Sequence, residues 1–106
     1  MGKKEVKKPT EQEMRTITGV IKGQTAKNGT VINSIRYHAH CRIKERGYSG
    51  SHILNVMQTG EQSKGTEENS TAFDKGNLRV VINDKIGELI TIIRLRRNRP
   101  RNQKKG

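Results

Sequence analysis

The stretch H-A-H-C-R-I-K-E-R-G-Y-S-G-S-H-I-L-N-V-M-Q-T-G, residues 38–60, contains the strongest structural signals in this chain. It predicts two helices that are separated at Gly47, because glycine adopts the left-handed conformation that ends many helices. Ser49 or Ser51 is expected to cap the second helix, which covers residues 50–59. A helix with His, Arg and Glu at fixed offsets, in a very basic chain, indicates chemistry on a polyanion.

The first of these helices is predicted from an apolar side chain at every fourth position, beginning near Ser34. The apolar residues are Ile35, Ala39 and Ile43. At about 100° per residue, His38, Arg42 and Glu45 share one edge of this apolar stripe. His40 projects about 160° away from His38, so it is expected on the outer surface of the helix.

Weaker patterns lie on both sides of the two helices. Between Met14 and Ile35, the segments R-T-I-T-G-V-I-K and T-V-I-N-S-I are rich in β-branched residues and are joined by a turn-like K-N-G-T. They predict a short hairpin, or else Ile32 and Ile35 belong to the following helix. Residues 61–70 have no periodicity and are predicted to form a polar loop.

The C-terminal part of the chain contains three segments with strand patterns. They are T-A-F, N-L-R-V-V-I-N and E-L-I-T-I-I-R-L-R. The last two are joined by D-K-I-G, a turn in which Gly87 takes the left-handed position of a bulged hairpin. If Asp84 opposes Glu88, Val81 lies across from Thr91 and Arg79 lies across from Ile93.

This register predicts a sheet with one apolar and one polar face. The apolar face, directed toward the helices, consists of Leu78, Val80, Ile82, Ile90 and Ile92. The other face carries Arg79, Asn83 and Thr91, although a slip by one residue would move Thr91 to the apolar side.

The fold class predicted from these elements is α+β, with two helices packed on a small twisted antiparallel sheet. A length of 106 residues suits one domain, and a hydrophobic fraction of 29% limits its core. The predicted domain covers residues 14–97. The basic segments 1–13 and 98–106 are predicted to be disordered tails.

The net charge of +12 lies mostly at the two ends of the chain. Residues 1–8 carry a net charge of +3 and residues 94–106 carry +7, whereas residues 9–93 carry only +2. Such flanks attract phosphates through counterion release, unless they are merely solubilising tails. No apolar run approaches the roughly 20 residues of a membrane-spanning helix, so no membrane partner is expected.

The single cysteine excludes an internal disulfide and gives little support to a metal or thiol site. His38 and Cys41 are three residues apart on the predicted helix, but no second Cys or His pair has zinc-like spacing. Cys41 lacks an identifiable catalytic triad. No phosphate-binding or dinucleotide-binding glycine motif is present, so neither a metal nor another cofactor is expected.

The motif H38-A39-x-x-R42-x-x-E45-R46-G47, with the glycine-bounded helix after it and a late hairpin that holds a threonine, resembles a family of bacterial ribonuclease toxins. The class contains barnase-like, RelE-like, EndoU and colicin nucleases (the BECR fold). More narrowly, the chain resembles C-terminal toxin domains of contact-dependent growth inhibition and related polymorphic toxin systems. The resemblance covers residues 34–95, whereas residues 1–30 contribute nothing to it.

This resemblance implies metal-independent cleavage of RNA, in which the 2′-hydroxyl attacks the adjacent phosphate and leaves a 2′,3′-cyclic phosphate. The implied catalytic residues are His38, Arg42, Arg79 and Thr91. An imidazole can transfer protons near neutral pH, and guanidinium groups can stabilise the phosphorane. The implied substrate-binding residues are Lys75, Arg46, Arg94, Arg96 and Arg97.

The resemblance also implies a biological setting. The expected substrate is tRNA, and the expected partner is a cognate acidic immunity protein that covers the basic active face. The toxin is expected to be a monomer when free. It would be delivered from a secreted or cell-surface precursor and act in the cytoplasm of the target cell.

Other interpretations of the same residues remain open. In one alternative, Arg42 forms a structural ion pair with Glu45 or Asp74. In the same alternative, His38 is an inert side chain at the edge of a helix–sheet contact. Alternatively, the whole chain is a non-catalytic RNA- or DNA-binding protein, which the basic C-terminal run supports equally well. Single-strand readers usually contain stacking aromatic residues, and this chain has only Phe73, Tyr37 and Tyr48.

Overall fold

The computed structural model describes residues 8–95, which form three α-helices and one five-stranded sheet. The elements are α1 (Glu11–Ile21), β1 (Ser34–Ile35), α2 (Tyr37–Arg46), α3 (Gly50–Thr59), β2 (Glu61–Lys64), β3 (Ser70–Lys75), β4 (Leu78–Asn83) and β5 (Glu88–Arg94). The strand order is β1-β5-β4-β3-β2, with β1 parallel to β5 and all other neighbours antiparallel. The predicted α+β class is confirmed.

The N-terminal helix α1 is the largest departure from the prediction. A capping box starts it: the Glu13 N–H donates to Oγ1 of Thr10 (3.1 Å), and the Thr10 N–H donates to Oε1 of Glu13 (2.8 Å). This cap and the apolar side that buries Ile21 outweigh the β-branched composition. The first segment of the predicted hairpin is therefore wrong, and so is the boundary of the tail at residue 13. The predicted turn at residues 27–30 is present, and an antiparallel bridge joins Thr25 and Val31 on either side of it. The rest of both predicted tails, 1–7 and 98–106, lies outside the described residues.

The two central helices follow the prediction closely. Gly47 ends α2 with φ 74°, and its N–H donates to the carbonyl of Ile43 (2.9 Å). Ser49 caps α3, because its Oγ accepts the N–H of His52 (3.1 Å). However, α2 begins at Tyr37 rather than Ser34. Residues 34 and 35 form instead a short strand parallel to the start of β5.

The predicted polar loop over residues 61–70 is partly wrong, because Glu61–Lys64 form the edge strand β2. All four residues are exposed, so their side chains show no alternation of buried and exposed positions. Backbone pairing with β3 holds this strand in place. A strand of that kind leaves no hydrophobic signal in the sequence.

The hairpin of β4 and β5 has the predicted register over most of its length. Val81 opposes Thr91 and Arg79 opposes Ile93, as expected. Near the turn, a bulge after Val81 places Ile82 opposite Leu89, so Glu88 opposes Asn83 rather than Asp84. The Asp84 carboxylate is instead held by Asn28, Thr30 and Thr71. Gly87 occupies the left-handed region as predicted, with φ 68°.

The bulge divides the apolar residues between the two faces of the sheet. On the face that carries the helices, the strands contribute Phe73, Leu78, Val80, Ile82, Leu89 and Ile92 to the main core. Leu89 thus takes the place predicted for Ile90. Ile90 packs with Ala72 and Val81 in a separate cluster on the opposite face, called here the outer face. No helix within residues 8–95 is both long and apolar enough to cross a membrane.

Candidate active site

The outer face brings Arg79 and Thr91 together. Arg79 opposes Ile93 and Val81 opposes Thr91 on the neighbouring strand, so Arg79 and Thr91 occupy diagonal positions on one face. Diagonal positions of an antiparallel pair are about 7–8 Å apart, within reach of an arginine side chain. Both side chains therefore project from the same face of the sheet.

A carboxylate on the next strand fixes the direction of the Arg79 side chain. Nε of Arg79 donates to Oδ1 of Asp74 (2.7 Å), and Nη2 donates to Oδ2 (2.9 Å). These hydrogen bonds raise the pKa of Arg79 above its ordinary value. The Arg79 side chain is still 37% exposed. Its remaining N–H groups are therefore accessible to a ligand.

Thr91 presents a half-buried hydroxyl on the outer face. Its Oγ1 donates to the carbonyl of Ile92 at 3.3 Å, a long contact. A hydroxyl that donates one hydrogen bond still has free lone pairs to accept another. Thr91 can therefore give a directional contact to a substrate hydroxyl.

Helix α2 packs against β5 and carries His38, Arg42 and Arg46 on one side. His40 and Lys44 line a groove shared with α1, which identifies the side of α2 that faces α1. At about 100° per residue, His38, Arg42 and Arg46 project on the other side. These three residues are called here the basic flank of α2.

Strand β5 has an open stretch of edge beyond its short pairing with β1. Strand β1 pairs only with Glu88 and Leu89, so within residues 8–95 the β5 edge has no strand partner from Ile90 onward. Helix α2 packs on the helix side of β5, where Ala39 and Ile43 join the main core, whereas Arg79 and Thr91 lie on the outer face. The structure therefore places His38 and Arg42 on the opposite side of β5 from Arg79 and Thr91.

Arg42 forms an ion pair with Glu45, as one of the alternative interpretations of the sequence predicts. Its Nη1 lies 3.2 Å from Oε1 of Glu45, three residues later on α2. The side chains are 39% and 43% exposed, and exposed pairs contribute little to stability. A phosphate can therefore compete with Glu45 for this guanidinium. His38 is exposed, and its side chain makes no hydrogen bond with the described residues.

Arg36 is a functional candidate that the sequence did not reveal. It precedes α2, and its Nη2 lies 3.0 Å from Oε1 of Glu88, while Nη1 lies 3.8 Å from Oε2 of Glu67. The N-terminus of α2 has neither a side-chain cap nor an acidic residue in its first turn. The positive end of the helix dipole therefore adds to the charge of Arg36 next to His38.

The predicted substrate-binding residues are not all placed together. Lys75 is separated from the outer face: its Nζ donates to Oδ1 of Asn55 (2.8 Å) and Oγ1 of Thr59 (2.7 Å) on α3. Its side chain follows Phe73 onto the helix side, so Lys75 does not share the outer face with Arg79 and Thr91, and its substrate contact stays a prediction. Arg94 opposes Leu78 and so projects toward the helix side at the end of β5. Arg96 and Arg97 lie outside the described residues.

His40 is buried, contrary to the prediction of an outer-surface residue. Only 7% of it is exposed, because α1 covers this side of α2. The imidazole lines a groove of about 410 Å³ that is shared by the two helices. The wall includes Ile17, Ile43 and the Lys44–Glu13 ion pair. Burial lowers the pKa of His40, so the neutral imidazole is favoured in the fold.

Mild acid is expected to destabilise the protein through His40. The unfolded chain protonates this imidazole below about pH 6.5, whereas burial delays protonation in the folded protein. The unfolded state then binds more protons, so the free energy of unfolding falls with pH until the folded imidazole is also protonated. Melting temperatures measured by circular dichroism between about pH 8 and pH 5.5 test this expectation.

His40→Leu provides the comparison for this pH series, because it keeps an apolar side chain in the groove and removes the titrating group. Its melting temperature is expected to depend less on pH over the same interval. An equal dependence in both proteins would show that another group causes the acid destabilisation.

No metal-binding cluster of three or more His, Cys, Asp or Glu side chains occurs in the part of the chain that is described. Cys41 is free and half-buried on α2. A hydrogen bond with Cys41 raises the pKa of the Tyr37 phenol one turn earlier. The thiol therefore contacts the Tyr37 phenol.

The chain matches no protein-family model, no curated protein and no solved structure in these three comparisons. The resemblance to bacterial ribonuclease toxins therefore rests on the residues of the α2 motif and the late hairpin. Membership of that class stays a prediction.

Proposed function

We propose that this protein is a metal-independent endoribonuclease toxin. The observation that carries the proposal is the placement of Arg79 and Thr91 at diagonal positions of the outer face, with His38 and Arg42 on α2, which packs on the other side of β5. Imidazole, guanidinium and hydroxyl groups suit cleavage of a phosphodiester, and the proposal requires an RNA that contacts both sides of β5. The net charge of +12 favours association with a polyanion.

In the proposed reaction, the ribose 2′-oxygen forms a bond with phosphorus as the bond from phosphorus to the 5′-oxygen breaks. One proton leaves the 2′-hydroxyl and another reaches the departing 5′-oxygen. His38 carries out one of these transfers. Arg79 and Arg42 stabilise the charge on the phosphorane, and Thr91 contacts the ribose or phosphate.

The proposed substrate is tRNA, and the proposed setting is competition between bacteria. A large folded RNA offers many phosphates to a strongly basic chain. A cognate immunity protein with an acidic surface would cover the basic flank of α2 and neutralise the toxin. Arg46 and Arg94 extend the cationic surface of the described domain, whereas Arg96 and Arg97 continue the basic run in the sequence.

Incubation of the purified protein with total tRNA in EDTA tests this proposal. We expect discrete cleavage products with a 2′,3′-cyclic phosphate on one side and a 5′-hydroxyl on the other. Both ends can be mapped by sequencing with and without enzymatic removal of the cyclic phosphate. Intact RNA after prolonged incubation would contradict the proposal, as would products that end in a 5′-phosphate.

A non-catalytic nucleic-acid-binding protein is the second candidate. It is favoured by the carboxylate partners of Arg36, Arg42 and Arg79, since such pairs are also found on surfaces without catalytic function. This candidate predicts salt-sensitive binding of RNA without any product. The same incubation separates the two candidates, because binding and cleavage are measured on one sample.

A further inference from the structure

We infer that Asp74 is a positioning residue, which holds the Arg79 guanidinium in the orientation required to contact the scissile phosphate. This inference rests on the proposed function. The bidentate contact uses Nε–H and one N–H of Nη2, at 2.7 and 2.9 Å. Both N–H groups of Nη1 and the second one of Nη2 remain free to donate to phosphate oxygens.

The Asp74–Arg79 pair differs from the other arginine–carboxylate pairs because both of its residues lie on strands inside the sheet. Asp74 lies on β3 and Arg79 on β4, and each strand is hydrogen-bonded to neighbours on both sides. The Asp74 side chain is only 20% exposed. A planar guanidinium held at two points of a paired sheet loses little further rotational freedom when a phosphate binds.

Because Asp74 is negatively charged, its replacement tests the inference through the direction in which kcat changes. Asp74→Asn removes a negative charge from an RNA-facing surface, so electrostatics alone predicts tighter binding and cleavage at least as fast. Positioning predicts slower cleavage at saturating RNA, because a loosened Arg79 no longer meets the phosphorane in a fixed geometry. The two explanations therefore predict opposite changes in kcat.

Glu61→Gln is a matched control. Glu61 directly opposes Asp74 on β2, lies on the same face and is exposed. Its side chain makes no hydrogen bond or ion pair with the described residues. This substitution removes the same charge one strand away and leaves the Asp74–Arg79 contact intact.

Arg79→Lys is the complementary variant, because it keeps the positive charge and loses the planar bidentate contact. We expect Asp74→Asn and Arg79→Lys to lower kcat by about 10–100-fold with little increase in KM. We expect Glu61→Gln to retain the kcat of the unmodified protein. Equal kcat values for Asp74→Asn and the unmodified protein, with cleavage otherwise normal, would overturn the inference and leave the proposed function standing.

A second measurement does not depend on cleavage. A 2′-deoxy oligonucleotide lacks the nucleophile and cannot be cut, and its binding can be followed through the Arg79 side-chain N–H signals by NMR. We expect saturable shifts of these signals in the unmodified protein and in Glu61→Gln, and smaller shifts in Asp74→Asn. Absence of Arg79 shifts in the unmodified protein would overturn the inference even if no RNA were ever cleaved.

Discussion

Replacement of His38 by alanine is expected to lower the rate of RNA cleavage by about 10²–10⁴-fold, the usual contribution of a general acid or base. His38 is exposed and makes no side-chain hydrogen bond with the described residues, so the fold should tolerate its removal. Rates at saturating tRNA in EDTA measure the effect. The melting temperature should stay close to that of the unmodified protein.

His52→Ala is the matched control, because His52 is also exposed but lies on α3, where its ring forms a T-shaped pair with Tyr48 at a centroid distance of 5.1 Å. We expect this variant to cleave RNA at nearly the unmodified rate. Cleavage that survives in His38→Ala would remove His38 from the mechanism. A similar loss in both variants would point to a general effect on the protein instead of a role for one imidazole.

Gly87→Ala is expected to reduce the free energy of unfolding by about 2–5 kcal/mol, the sum of a backbone and a steric cost. The backbone cost arises because Gly87 has φ 68°, a conformation that residues with a Cβ adopt with strain. The steric cost arises because an added Cβ would lie 2.2 Å from the Val31 carbonyl oxygen and 2.8 Å from Nδ2 of Asn33. The backbone carbonyl cannot rotate away as a flexible side chain would.

Gly76→Ala separates these two costs. Gly76 also occupies the left-handed region, with φ 63°, but nothing lies within 4 Å of an added Cβ. It should lose only the backbone contribution, about 1–2 kcal/mol. Urea unfolding monitored by circular dichroism measures both variants. Equal decreases in the free energy of unfolding would show that close packing of the β4–β5 turn against Val31 and Asn33 adds nothing to the cost of Gly87→Ala.

Glycines and caps made the centre of the fold predictable from sequence. Gly47 and Ser49 mark the end of α2 and the start of α3 through local backbone geometry, which depends little on distant residues. Local chemistry therefore sufficed for these two helix ends. The pairing of Val81 with Thr91 was predicted from Asp84 opposing Glu88; the structure pairs Glu88 with Asn83, and the bulge restores the predicted pairing beyond it.

The errors came from contacts between distant parts of the chain. β2 is held by pairing with β3 and has no buried side chain, so its sequence shows no hydrophobic periodicity that predicts a strand. The β-branched residues of α1 favour a strand, whereas the capping box of Thr10 and Glu13 starts a helix there. With α1 unrecognised, nothing in the sequence suggested that His40 is covered.

For the candidate site, the residue types were predictable but their partners were not. Arg79 and Thr91 were assigned to one face by the hairpin register. Asp74 lies two residues before Gly76, and its pairing with Arg79 follows only once β3 is placed opposite β4. The face of Lys75 likewise follows only from β3, where Lys75 alternates with Asp74 and so projects toward α3.

The division of the sheet into two faces affects how such a protein can evolve. Asp74, Arg79 and Thr91 project away from the side chains that hold the helices on the sheet, so none of them belongs to the main core. Mutations on this surface can alter ligand preference while the scaffold persists. A lineage of these domains can therefore diversify its recognition surface, and an inhibitor that binds there would have to change with it.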